Sequence, residues 1–125
     1  MATLFELQNP PFGQLTKTKV IKTENGAHTL TTAEIIEGIV DGTPTGNRAV
    51  TTPTAAAIIS ALGTQGGVGQ TFELTIVNKA TSTHKFTLTA GSGVTIVGDA
   101  DVAAASSGTF LVRVTSSTAV SAFRK

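Results

Sequence analysis

The sequence predicts a mainly β protein: a single β-sandwich or barrel, jelly-roll-like, with one or two short helices and an extended N-terminal arm. Three observations carry that expectation. From Val68 onward, stretches such as "QTFELTIVN" and "SSGTFLVRVT" alternate apolar and polar residues, the period of a strand with one face in a core. These short runs recur every ~8–12 residues with glycine or serine turns between them, as in sandwiches and barrels. Helical patterning is confined to two windows, "TTAEIIEGI" and "TPTAAAIISALG". At 125 residues the chain suits one domain, burying roughly two-thirds of its unfolded surface on folding.

Residues 1–14 set Leu4, Phe5, Leu7 and Phe12 around "NPPFG", whose paired prolines favour extended backbone and cannot continue a helix. Large apolar groups on an extended segment predict an arm that docks on a partner. The remainder, 15–125, reads as the β-rich domain. "LTKTKVIKT" alternates, and Asn25-Gly26 supplies a turn before "AHTL", which predicts a hairpin. Thr31 stands three residues before Glu34, the spacing of a capping box, with Ile35, Ile36 and Ile39 forming one apolar helix face that ends near Gly38 or Asp41-Gly42. "DGTPTGN" reads as a loop and "RAVTT" as a brief strand.

A second helix is expected at about 53–62. Thr52 is placed to cap it, Pro53 to open it without cost, Ala55–Ala57 and Ala61 to propagate it, and Gly63 to close it in a left-handed conformation. Ile58, Ile59 and Leu62 form its buried edge. "GTQGGVG" then reads as a flexible linker. The C-terminal sheet, about 70–124, has Phe72, Leu74, Ile76, Phe86, Leu88, Phe110 and Val112 pointing inward, with threonine on much of the outward face.

Composition excludes several roles. A net charge of +1 with 14% charged residues leaves no phosphate-tracking surface, so nucleic acid is not an expected partner. No apolar run nears the ~20 residues that span a bilayer, and the start lacks a basic, then apolar, leader; the chain reads as soluble and unexported. Cysteine is absent, which removes disulfides and thiolate metal sites. Tryptophan and tyrosine are absent too, so flat ligands have little to stack on. Low charge with a mean hydropathy of +0.21 suits a chain that covers apolar surface by association.

The order "TPTAAAIISALG", "VGQTFELTIVN", "TLTAGSGVTIVGDADVAAASSGTFLVRVTSSTAVSAF" resembles a module recurrent in tailed-phage structural proteins, notably capsid decoration (cement) proteins and head or tail fibre proteins. The resemblance covers roughly residues 50–125. It is carried by the helix followed by Gly69, Phe72 and Asn78, by "TAGSGVTIVG" and by "SSGTFLVRVT"; residues 1–49 do not share in it. It implies a homotrimer on a capsid lattice, with a terminal segment gripping the major capsid protein.

No pattern of catalysis is present. "GSG" at 91–93 introduces a strand rather than a nucleophile elbow, and "GTQGGVG" follows a helix where a phosphate cradle precedes one. "GDAD", with Asp99 and Asp101, lacks the closing glutamate of a calcium loop and reads as a turn. His28 and His84 read as solvated loop histidines, and Arg113, Arg124 and Lys125 as solvated charges, Arg113 with the further option of an interface ion pair. The expectation is therefore a non-enzymatic virion protein without cofactor or metal, made in the host cytoplasm and placed on the capsid surface. Leu4, Phe5, Leu7 and Phe12 form its capsid-docking arm, and Ala56, Ile59 and Arg113 its oligomer contacts. The alternative is a receptor- or glycan-binding module of a phage fibre or adhesin.

Overall fold

The computed structural model describes residues 20–125. The expected arm, with Leu4, Phe5, Leu7 and Phe12, lies outside the described residues, as does the first part of the expected strand at 15–23. The described chain forms β1 (Ile21–Thr23), β2 (His28–Thr29), α1 (Thr32–Ile35), β3 (Ile39–Gly42), β4 (Arg48–Thr51), α2 (Ala55–Leu62), a 3-10 turn (Gly63–Gln65), β5 (Thr71–Asn78), β6 (Phe86–Thr89), β7 (Val94–Val97), β8 (Asp101–Val102), β9 (Ser106–Val114) and β10 (Val120–Arg124). The strands make a six-stranded sheet in the order β1-β3-β5-β9-β10-β7 and a four-stranded sheet in the order β2-β4-β6-β8. One core is shared between them. The mainly β sandwich with two short helices is thus the fold.

Within that sandwich the first three laps of chain form a coil. Each lap lays one strand in the six-stranded sheet and the next in the four-stranded sheet, so like strands stack in parallel: Ile21 on Ile39 on Thr75, and His28 on Val50 on Leu88. Parallel neighbours cannot be joined by a tight turn and need a crossover. Helices α1 and α2 serve as those crossovers, returning the chain from β2 to β3 and from β4 to β5. Strand β9 then runs antiparallel to β5, β10 antiparallel to β9, and β7 parallel to β10.

The expected hairpin at Asn25-Gly26 is not formed, because β1 and β2 belong to different sheets. The turn exists, but its bonds run to the next lap. Asn25 Oδ1 accepts from the Thr43 N–H at 2.8 Å, and the Glu24 N–H donates to the Asp41 carbonyl at 2.9 Å. Gly42 permits this stacking, since a Cβ there would sit 2.0 Å from the Glu24 carbonyl oxygen. Gly42→Ala is expected to cost ~1–3 kcal/mol through forced backbone displacement. Urea unfolding measures it, and an unchanged midpoint would show that the laps are not in such close contact.

The capping box is present: Glu34 N–H donates to Thr31 Oγ1 at 3.3 Å and Thr31 N–H to Glu34 Oε1 at 2.9 Å. The helix stops sooner than expected. Glu37 adopts a φ of 56°, and Ile39 opens β3 instead of extending a helical face. Helix α2 begins later, at Ala55, and its cap is Thr54, whose Oγ1 accepts from the Ala57 N–H at 3.1 Å. Thr52 is instead buried and prolongs β4, its N–H donating to the Thr89 carbonyl and its Oγ1 accepting from the Gly91 N–H at 2.8 Å. Gly63 does close α2 at positive φ, 59°, but with ψ at −125°, outside the left-handed helical region. Thr54→Ala should cost ~1 kcal/mol; a denaturation curve superimposable on the parent's would show the cap idle.

"GTQGGVG" is no free linker. Gly69 N–H donates to the Val114 carbonyl at 2.8 Å and Val114 N–H to the Gln70 carbonyl at 3.0 Å, which ties the segment to the end of β9. The strand phase read from sequence holds throughout, with Phe72, Leu74, Ile76, Phe86, Leu88, Phe110 and Val112 all buried. Ile35 from α1 and Ile58 from α2 complete the core.

Candidate functional site

The polar groups of the described residues are mostly occupied in holding the fold. In the first lap Lys22 shares a sheet face with buried Val40 and Ile76, and His28 shares one with Val50 and Leu88. Polar side chains thus close the coil where later laps carry aliphatics, as terminal repeats of stacked folds do. His28 is not solvated, as a lone loop histidine would be: its Nε2 lies 2.9 Å from Glu34 Oε1 and its Nδ1 3.9 Å from Glu24 Oε2, with Lys22 Nζ 3.8 Å from the latter carboxylate.

Burial alone would push the Glu34 carboxyl up. The Thr31 N–H, the His28 ring and the Lys22 charge outweigh it and hold the carboxyl below the usual range. A carboxyl depressed in the folded state contributes stability above its unfolded pKa, and that stability is lost as pH falls through the folded value. Stability should therefore fall more steeply into acid for the parent than for Glu34→Gln. Parallel stability profiles of the two proteins would refute this assignment.

Asp101, which the sequence placed in a turn, instead opens β8 opposite Thr87 of β6; the bend lies before it, at Gly98. Lys85 Nζ at 2.6 Å and Thr87 Oγ1 at 2.7 Å lower its pKa. Thr23 and Lys79 do the same for Asp41. Arg124 is not a solvated charge: its Nη1 donates to the carbonyls of Asp99 at 3.0 Å and Asp101 at 2.6 Å. Lys125 pairs with Glu73 at 2.7 Å. Among the described residues no group of three or more His, Asp or Glu side chains is placed to hold a metal, and no helix is long and apolar enough to cross a membrane.

Two surface features remain. One is an open cleft of about 150 Å³ at the corner of the second and third laps, lined by Thr43, Pro44, Ala80, Thr81, Ser82, Thr83 and His84. Buried Asn78 shapes it, donating to the His84 carbonyl at 3.0 Å and accepting from the Ala80 N–H at 3.0 Å, while His84 holds a φ of 76°.

The other is the outer face of the six-stranded sheet. The pairing register sets Leu111 beside Phe123 and Phe123 beside Val97, a continuous apolar row across three strands. On the other half Ile21 stands beside Ile39, with Thr75 and Thr109 between the halves, their hydroxyls 3.1 Å apart. Ile21 is 65% and Val97 42% exposed. The signal for this row was in the sequence: in "TFLVRV", Leu111 is out of phase with the inward Phe110, Val112 and Val114. Phe123 likewise falls on the face opposite Val120 and Ala122 because successive strand residues alternate.

Of the residues expected to make oligomer contacts, Ala56 is exposed on α2 and Arg113 is exposed on this same outer face, beside Gly69. Among the described residues Arg113 makes no hydrogen bond or ion pair. Ile59 is half-buried against the core and its backbone lies close to Gly66, so only part of its side chain faces outward. Compared with protein-family models, with curated proteins and with solved structures, the chain matches none.

Proposed function

We propose that this protein is a structural component of a phage particle. It binds the outside of the capsid as an oligomer, a homotrimer, and stabilises the shell by bridging neighbouring copies of the major capsid protein. The observation that favours a role exercised through surfaces is the outer face of the six-stranded sheet. A sheet paired on both edges of its central strands is a rigid platform, and the row Leu111-Phe123-Val97, the pair Ile21-Ile39 and the threonines between them suit contact with an apolar surface, with Glu73, paired to Lys125, and Arg113 as the charged groups of the same face. The resemblance of residues 50–125 to decoration and fibre modules points to the particle as the setting.

Light scattering after size exclusion, together with co-sedimentation on capsids, tests this reading. The parent is expected to be oligomeric and to pellet with capsids. Leu111→Asp, on the outward face, is expected to abolish pelleting while the core strands still melt cooperatively. A strict monomer at tens of micromolar that stays in the supernatant would overturn the proposal. The cleft at Thr43, Pro44 and 81–84 favours a second reading, a glycan-binding fibre module, because four hydroxyls and an imidazole on one loop-built hollow match the hydrogen-bonding chemistry of a sugar. A glycan array answered by Ser82 and His84 substitutions would establish that reading instead.

A further inference from the structure

The turn between β1 and β2 gathers three groups around one side-chain amide. Asn25 is exposed there and is followed by Gly26. Thr43, just beyond β3, donates its N–H to Asn25 Oδ1 at 2.8 Å, and the Gly26 N–H donates to Glu24 Oε1 at 3.2 Å. Asn25 Nδ2 has no partner among the described residues. We propose that Asn25-Gly26 is a self-modifying site, at which the Gly26 nitrogen attacks the Asn25 side-chain carbonyl with Glu24 as proton acceptor. Water converts the resulting succinimide to aspartate or isoaspartate.

Bond formation between the Gly26 nitrogen and Asn25 Cγ closes a ring within the two residues. As it forms, Glu24 takes the Gly26 amide proton and the carbonyl electron pair moves onto Oδ1, where the Thr43 N–H stabilises the charge. Collapse of that intermediate re-forms the carbonyl and breaks the bond to Nδ2, which takes the proton from Glu24 and leaves as ammonia. Water then adds to either ring carbonyl and opens the ring, restoring the Gly26 N–H and leaving one carboxyl. The fold does not itself require glycine at 26: its φ is not positive, and a Cβ would meet only Glu24 Oε1, at 3.7 Å. What the missing side chain does is leave the attacking nitrogen unshielded. The groups are oriented by the fold rather than by the tripeptide. The Glu24 N–H donates to the Asp41 carbonyl at 2.9 Å, which with Thr43 fastens the turn to the second lap, and Glu24 Oε2 lies 3.8 Å from Lys22 Nζ and 3.9 Å from His28 Nδ1.

The full chain, incubated in neutral buffer, is sampled with trypsin, whose cuts after Lys22 and Arg48 release residues 23–48. Fragmentation in the mass spectrometer then locates the change at Asn25 and separates aspartate from isoaspartate. A synthetic peptide of residues 20–31 is the reference. Asn25 in the folded chain is expected to convert about tenfold faster than in the peptide, with isoaspartate among the products, and to fall to the peptide's rate in guanidinium. Glu24→Gln should slow the folded chain about tenfold and leave the peptide nearly unchanged. Gly26→Ala, which the backbone accommodates, should also slow the folded chain, and an unfolding curve checks that both variants are folded. Conversion no faster in the folded chain than in the peptide overturns the proposal, as does aspartate without isoaspartate, which marks direct hydrolysis. Indifference to Glu24→Gln removes the proton acceptor and with it the assembled site, and indifference to Gly26→Ala excludes the Gly26 nitrogen as nucleophile. No capsid enters the measurement, so its outcome is independent of the function proposed above.

Discussion

Replacing Phe110 with alanine is expected to cost ~3–5 kcal/mol, the range for deleting a fully buried aromatic side chain. Phe110 is 0% exposed and sits in β9, with Leu74 of β5 opposite it on one side and Arg124 of β10 on the other. Truncation leaves a void between the two sheets that rigid strands on both flanks cannot collapse to fill. It also removes the ring beneath the Arg124 guanidinium, which stands 5.5 Å from the ring centroid and simultaneously binds the carbonyls of Asp99 and Asp101. Against the ~5–15 kcal/mol of a typical domain, this is a large fraction of the whole. Urea unfolding of the parent and the variant measures the difference. A loss under about 1 kcal/mol would mean that the side chain is not in a packed core.

Asn78→Leu is expected to cost ~2–4 kcal/mol although it preserves volume. Asn78 is 2% exposed at an inward position of β5, where Leu74 and Ile76 precede it in the same phase. Its amide joins the two sheets: Nδ2 donates to the Val102 carbonyl at 3.0 Å and to the His84 carbonyl at 3.0 Å, and Oδ1 accepts from the Ala80 N–H. Leucine takes away the side-chain partner of all three main-chain groups, and a buried orphan costs more than a hydrogen bond contributes. The loop at 80–84 should also loosen, since the bond from Asn78 Nδ2 to the His84 carbonyl anchors it where His84 holds positive φ. The amide of Ala80 should then exchange with solvent much faster than in the parent. A variant of parental stability with Ala80 still protected would show that the loop is fixed by other means.

The sequence by itself determined the elements whose cause is local. Alternation in "QTFELTIVN", "HKFTLTA" and "SSGTFLVRVT" is read directly because a residue's face in a strand depends only on its neighbours' parity, and each predicted inward residue is buried. The capping box at Thr31 and Glu34 is equally local, being closed within four residues. Its alanines and the following glycine identify α2, but its cap moved from Thr52 to Thr54, because Thr52 was claimed by distant partners, Thr89 and Gly91.

Everything that depends on which segments meet was decided by the tertiary structure. Asn25-Gly26 announces a turn without saying whether the strands it joins will pair. Here the next lap, through Asp41 and Thr43, takes the bonds that a hairpin would have used. His28 and Arg124 look solvated in the sequence because their partners lie elsewhere: Glu24 and Glu34 for the first, the carbonyls of Asp99 and Asp101 for the second. The apolar row on the outer sheet face joins Leu111, Phe123 and Val97 from three strands, and it exists only in their register. The physical reason is common to all of these. A strand's side-chain pattern is written along one segment, whereas main-chain hydrogen bonds are alike in every segment, so the choice among partners falls to packing and loop closure over the whole chain.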